Sequence, residues 1–506
     1  MAFSKELLKI NTFGSLKASG YTPRSVKDEL RSNLIEKMQK QEPMFQGVLG
    51  YEETVIPDLQ RAILARHNII LLRLRGQAKT RIARQMVDLL DAYIPVVEGS
   101  ELNDDPFQPL SRFARDLVAE KGDDTPISWL PRAERYSEKL ATPDVSVADL
   151  IGDVDPIKAA TLKLPYSDER VIHYGIIPRS HRGLFVINEL PDLQPRIQVA
   201  LFNILQEGDI QIRGFKLRLP LDIQFVFTAN PEDYTNRGSI VTPLKDRIES
   251  QILTHYPKSE ELSMQITAQE ARLPEGLSDN VYIDTLSSRL VERIAMEARN
   301  SEFVDAKSGV SARLTISAYE ILNSAVERRI LINKEKKGVS RIGDLHGLIP
   351  AITGKIELVY EGEQEGPALV AEKLISNSIR SLFAEYFPNP EMLRKRKEGS
   401  NPYEKIIRWF GKGNSLDLMN DLTQKEYNKL LLGVPGLEDI VEKQQRGASD
   451  DMKLLLMEFV LHGLSSFSLI GKNRLESGNQ FGDLLSGMLN FSDEEEDDSE
   501  YGGYYE

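Results

Sequence analysis

The stretch that most constrains this chain runs from Asn68 to Leu90. A short apolar run, Asn68 to Leu72, breaks into Arg73-Leu74-Arg75-Gly76-Gln77-Ala78-Lys79-Thr80, and apolar residues then recur at helical spacing through Ile82, Met86 and Leu89. A strand, a tight turn and a helix in that order form a P-loop, which aims backbone N–H groups at a polyphosphate. The lysine at the start of the helix reaches the terminal phosphates, and the hydroxyl after it suits Mg²⁺. On this reading Gly76, Gln77, Ala78, Lys79 and Thr80 hold phosphate and Thr80 also holds the metal. The strict spacing of such a turn puts glycine where Arg73 and Ala78 stand. If the turn requires positive φ at Arg73, the substitution costs about 1 kcal/mol or more; otherwise the side chain points to solvent.

A strand feeding a helix in this way belongs to a parallel α/β sheet, and the alternation continues from about 45 to 257. Leu184 to Ile187 and Ile223 to Thr228 read as further buried strands, and Pro195 to Gln206 as a helix stopped by Gly208. Between them Ile210, Ile212, Leu217 and Leu219 alternate with polar residues around Gly214, which predicts a β-hairpin. Residues 1–44 read as an N-terminal helical arm: Ser25 and Asp28 form a capping signal, Val26, Leu30, Leu34 and Met38 make one apolar stripe, and Pro43 follows its end. Segment 258–345 turns helical, as in Asn280 to Met296 and Ala312 to Ile332, and 346–490 stays mostly helical between Pro388, Pro390, Pro402 and Pro435. The tail 491–506 is too acidic to pack and is expected to be disordered.

Charge and composition exclude several functions. Of the net −14, eight negative charges lie in the last fourteen residues and the rest of the chain carries −6, so nucleic acid is not an expected partner. The basic run Arg394 to Lys397 reads as a solvated loop. No apolar run approaches a membrane span and the N-terminus lacks the apolar core of a secretory signal. Cysteine is absent, which removes disulfides and thiolate chemistry and fits a cytoplasmic chain. The six histidines show no metal-ligand spacing; His181, between Arg179 and Arg182, reads as structural.

Four polar positions follow the turn at telling places. Gly183 to Asn188-Glu189 is an apolar strand ending in a polar and an acidic residue, where a carboxylate can orient a water toward a terminal phosphate. Thr228-Ala229-Asn230-Pro231 ends a second strand in a polar amide; Leu244-Lys245-Asp246-Arg247 and Ser311-Ala312-Arg313 follow. Each is common alone; their order is not.

In that order the motifs resemble an AAA+ ATPase, and most closely the magnesium chelatase ATPase subunit and its MoxR-like relatives. Gly175 to Gly183, with Arg179 and Arg182, resembles that family's segment before its acidic strand, and Val48-Leu49-Gly50-Tyr51-Glu52 resembles the segment that contacts adenine. The resemblance covers 45–257, extends to Arg313, and stops by about 345. It implies ATP and Mg²⁺ as ligands, Gly50 and Tyr51 at the base, Thr80 and Asn188 at the metal, Glu189 polarising the hydrolytic water, and Asn230 as the sensor holding that water. It further implies Arg247 as an arginine finger working in a neighbouring copy, Arg313 as the lid arginine, and a hexameric ring acting on a protein partner, one with a von Willebrand factor A domain. Asn188 replaces the family's aspartate: it keeps the oxygen but loses the charge, which lowers metal affinity and predicts slow hydrolysis. A nucleotide-gated scaffold with little turnover and the motor of a true metal chelatase are the alternatives.

Overall fold

Strands that read as unbroken apolar runs must be covered on both faces. In the computed structural model, which describes residues 7–212, 218–230, 239–393 and 401–484, this is the arrangement found. The chain forms two compact units, Met1–Tyr256 and Pro257–Glu506.

The first unit is built on a five-stranded sheet: β1 (Ile69–Leu72), β2 (Tyr136–Leu140), β3 (Gly183–Asn188), β4 (Ile223–Ala229) and β5 (Ser250–Leu253). All are parallel, in the order 5-1-4-3-2. The side-chain period of two sends Ile69, Leu71, Leu184, Val186, Val226 and Ile252 to one face, and Ile70, Leu72, Phe185, Ile187, Phe225 and Phe227 to the other. The first face packs on α1 (Val26–Gln39), α2 (Val55–Leu64) and α3 (Lys79–Gln85); the second packs on α4 (Pro195–Glu207). This is an α/β P-loop-type sandwich, the fold class the alternation predicts.

Helix α1 turns its apolar stripe into the core. Ser25 caps it, accepting from the Asp28 N–H at 3.1 Å, and Val26, Leu30 and Leu34 enter the core while Met38 stays exposed. Its Glu29 makes a buried pair with Arg135, at 2.6 Å. The 1–44 segment thus contributes to the first unit's core, because its stripe has the sheet face to cover. The predicted helix over Lys79 to Leu90 is α-helical only to Gln85 and continues as a 3₁₀ turn, Met86–Leu89. Helix α4 ends at Gly208 in the left-handed conformation, as expected. The two arms of the hairpin pair Ile210 with Leu219, both buried; its tip, with Gly214 and Leu217, lies outside the described residues, as do Pro231, Arg394 to Lys397 and the tail 491–506. Helix α5 (Thr242–Asp246) precedes β5.

The second unit gathers α6 (Thr285–Asn300), α7 (Ala312–Asn333), α8 (Pro367–Tyr386) and α9 (Asp450–Ser466) around one core that takes residues from both 258–345 and 346–490. The helix expected from Asn280 starts later, capped by Asp284, because Val281–Tyr282 pairs instead with Gly338–Val339. A three-stranded antiparallel sheet, Leu416–Met419, Gly478–Gly482 and Gly471–Leu475, interrupts the predicted helical region. Two of its strands, Gly471–Leu475 and Gly478–Gly482, are rich in glycine and polar residues, and the third alternates only over four residues, with Leu416 and Leu418 buried, too short a period to announce a strand. Among the described residues no helix is long and apolar enough to cross a membrane.

Candidate functional site

The turn between β1 and α3 is the centre of the site. Arg73 has φ +133°, Gly76 +74° and Ala78 +57°, so both positions where a strict P-loop carries glycine are held in conformations that favour it. The either-or over Arg73 resolves to the strained alternative. Lys79 follows, buried, and its ammonium donates to the Arg73 carbonyl, to the Ala229 carbonyl at 3.0 Å and to the Asn230 side-chain oxygen. Asn230 in turn donates its amide to Glu189 Oε2 at 2.8 Å. Three residues far apart in sequence, Lys79 at the start of α3 and Glu189 and Asn230 just past β3 and β4, are therefore joined hand to hand at the C-terminal edge of the sheet, where ligands bind in open α/β sheets. Asn230 is 1% exposed, which fixes its amide between the two charges. Glu189 itself sits at φ +56°, its backbone N–H bonded to the Thr228 hydroxyl at 3.1 Å.

The Gly50–Tyr51 segment meets the same turn. The Tyr51 hydroxyl donates to the Gln77 and His255 carbonyls, at 3.2 and 2.9 Å, its ring lies edge-on to His255, and burial pushes its pKa up to about 12. Gly50 adopts φ +82° and donates its N–H to Glu52. Gln77 accepts from the Thr254 hydroxyl at 2.6 Å, while its buried Nε2 has no hydrogen-bond partner among the described residues. A buried amide donor left over beside a turn of N–H groups and a buried ammonium is a donor set that fits phosphate oxygens.

The donor set for Mg²⁺ is different. Thr80, half-buried on α3, offers its hydroxyl. Asn188 accepts from the Thr228 hydroxyl at 3.3 Å and turns its amide toward Glu138, one of the contacts that hold the Glu138 carboxyl below the usual carboxylate range, after the larger contribution of Arg84. Glu138 is ion-paired with Arg84 on α3 and accepts from the Tyr136 hydroxyl at 2.7 Å. Mg²⁺ takes oxygen ligands with one or two carboxylates beside the phosphates. Each unit charge facing a carboxylate at about 4 Å is worth roughly 4 kcal/mol near a protein surface, and neutral Asn188 forgoes that. Asn188 thus offers a metal only an uncharged oxygen, one that already accepts from Thr228.

Of the remaining candidates, Arg247 is held by partners outside this cluster and Arg313 belongs to the second unit. Arg247, after α5, is half-buried; its guanidinium donates to Gln206 at 3.0 Å and to the Pro243 carbonyl at 2.8 Å, and lies over the Phe202 ring. Arg313 is exposed at the start of α7 in the second unit, its N–H bonded to the capping Ser311. His181 is buried and accepts from the Asp222 N–H through Nδ1 at 3.0 Å, a structural role as expected. Sequence reasoning missed Glu138, Arg84, Thr228 and Thr254. Glu138 stands in Tyr136-Ser137-Glu138-Lys139-Leu140, an edge strand with no apolar run, and only the sheet register brings it beside Asn188.

No known protein-family profile matches this chain. Among solved structures, NtrX from Brucella abortus in complex with ATP is 13% identical, with 53% of this chain and 48% of that one aligned and a TM-score of 0.32. A candidate ATPase from Cytophaga hutchinsonii is 16% identical over 71% of this chain and 97% of its own, with a TM-score of 0.28. Hsp104 with ATPγS and FITC casein is 12% identical over 61% and 50%, with a TM-score of 0.36. The chain spans about half the length of the NtrX chains it matches. The parallel sheet and its 5-1-4-3-2 order make the first unit α/β.

Proposed function

We propose that this chain is an ATP-binding AAA+ ATPase of the magnesium-chelatase-like type, working as a hexameric ring on a protein partner. One observation carries the reading: Asn230 links the Lys79 ammonium to the Glu189 carboxylate at the edge of the sheet, beside the turn whose N–H groups and Gln77 amide suit phosphate. In this role Lys79 holds the terminal phosphates, Glu189 accepts a hydrogen bond from the attacking water and polarises it, and Asn230 keeps the two apart and oriented. Arg247 reaches a neighbour's phosphates only from an accessible position, and its half-exposed place after α5 supports that. Arg313 would report the phosphate from the lid, and a von Willebrand factor A domain is the partner type proposed.

Phosphate release by the full chain tests this. The wild type turns over ATP, and Glu189→Gln binds it without releasing phosphate; equal release by both removes the reading. Asn188 favours a second reading, a nucleotide-gated scaffold, in which ATP drives assembly while phosphate release stays at background.

A further inference from the structure

Consecutive residues at the end of β4 hold both charged groups of the site. Ala229 offers its carbonyl and Asn230 its side-chain oxygen to the Lys79 ammonium, and Asn230 donates to the Glu189 carboxylate. Just before them, the Thr228 hydroxyl accepts the Glu189 backbone N–H at 3.1 Å. Strand β4 is paired on both sides, with β1 and β3, and Thr228 is 2% exposed, so these contacts start from fixed points. Glu189 is the reverse. It leaves β3 at φ +56° and ψ +53°, a left-handed conformation that a residue with a side chain seldom holds unaided. Thr228 meets its main chain and Asn230 its carboxylate, so one strand grips the residue at both ends.

The direction of the Thr228 hydroxyl is set by its other partner. The Glu138 carboxylate can only accept, so Asn188 turns its amide there and its oxygen to Thr228, 3.3 Å away. The single hydroxyl proton goes to that oxygen, which leaves a lone pair for the Glu189 N–H. Valine would fill the same space in a strand that is otherwise apolar from Phe225 to Ala229, and would supply neither bond.

We infer that Thr228 is a positioning residue for hydrolysis, its hydroxyl holding the Glu189 main chain in the left-handed turn from which the carboxylate meets Asn230 and the attacking water. The inference rests on the ATPase reading and adds to it the group that aims its carboxylate. Without the hydroxyl the Glu189 N–H loses this acceptor, the residue relaxes toward negative φ, and its carboxylate swings off Asn230. The phosphate donors, Lys79, Gln77 and the turn, make no contact through the Thr228 side chain, so nucleotide binding survives.

Two pairs of proteins test this, each differing by one hydroxyl: wild type against Thr228→Val, and Thr228→Ser against Thr228→Ala. Steady-state phosphate release and the dissociation constant of a fluorescent N-methylanthraniloyl ATP are read on the full chain, per folded molecule. In both pairs loss of the hydroxyl is expected to lower kcat by about ten- to a hundredfold, with the dissociation constant changed by less than about threefold. Should the valine protein not fold, the serine–alanine pair decides. A merely structural hydroxyl would lower the thermal midpoint and leave turnover per folded molecule alone. Equal turnover within a folded pair, or nucleotide affinity that falls as far as turnover does, overturns the inference; wild-type hydrolysis that is lost in Glu189→Gln then still supports the ATPase reading. A wild type that binds the analogue and releases no phosphate from ATP overturns that reading, and the inference with it.

Discussion

Asn230 and Glu189, at the ends of adjacent parallel strands, share a 2.8 Å hydrogen bond in which the amide donates to the carboxylate. With Lys79 on its oxygen, the carboxamide has no freedom to flip, since reversal would set its NH₂ against an ammonium. Asn230→Ala removes the connector without touching either charge. Phosphate release is expected to fall by about a hundredfold, the usual scale for one preorganised polar group, with nucleotide affinity changed far less. Release kinetics and nucleotide titration on the same preparation check this; equal losses in both would place Asn230 in ground-state binding instead.

Lys79→Ala acts earlier. The Arg73 and Ala229 carbonyls and the Asn230 oxygen lose their shared donor, at about 1–3 kcal/mol for each that stays buried and unpaired. The variant should therefore unfold at lower temperature than the wild type and gain nothing from ATP. The wild type, at a hundredfold excess over its dissociation constant, should gain about 2.7 kcal/mol. Thermal unfolding with and without ATP separates the two effects. ATP stabilising both proteins equally would mean the lysine does not meet the phosphates.

How far the site could be read from residues follows from what makes a signal local. Lys79 and Thr80 sit at a strand–helix junction, and Glu189 and Asn230 at the ends of fully buried strands, so an apolar run followed by a polar residue announces each. Glu138 has no such flank: it is half-covered on an edge strand, and its meaning comes from register with a residue fifty positions later in sequence. Helix α1 was visible as a helix, but its stripe says only that something is covered. That the covered surface is the face of the central sheet depends on long-range pairing, Glu29 with Arg135 above all. The small sheet of the second unit is hidden because two of its strands are rich in glycine and polar residues and the third, Leu416–Met419, alternates over only four residues.

Arg73 leaves β1 at φ +133°, a region nearly confined to glycine, and its side chain is exposed. Such a residue costs about 1–3 kcal/mol, part of which glycine returns to unfolded-chain entropy. Arg73→Gly should raise the stability of the first unit by about 1 kcal/mol, read from the urea midpoint at unchanged m-value. A loss of stability would mean that the guanidinium makes contacts worth more than the strain. Whether nucleotide affinity falls in the same variant shows whether the cation at this position serves the ligand.

His181 and Asp222 are neighbours whose titrations oppose each other. Burial, with Arg182 second, pushes the His181 pKa down to about 3 from 6.5, so the folded state keeps the ring neutral and its Nδ1 free to accept the Asp222 N–H. Its contribution is complete above pH 6.5 and is lost as the pH falls toward 3, where the unfolded chain binds the extra proton. Burial pushes the Asp222 pKa up to about 6 from 3.8, so here the folded state binds the extra proton and stability falls as pH rises between those values. Across that shared window one slope offsets the other. Asp222→Asn keeps an oxygen for the Val26 N–H, which Asp222 now accepts at 2.8 Å, and deletes the falling slope. The difference in unfolding free energy between variant and wild type should therefore grow by about 1.4 kcal/mol per pH unit from about pH 4 to about pH 6. Urea titrations at several pH values in that range read it directly. Parallel curves for the two proteins would mean Asp222 ionises in the fold as it does in the open chain.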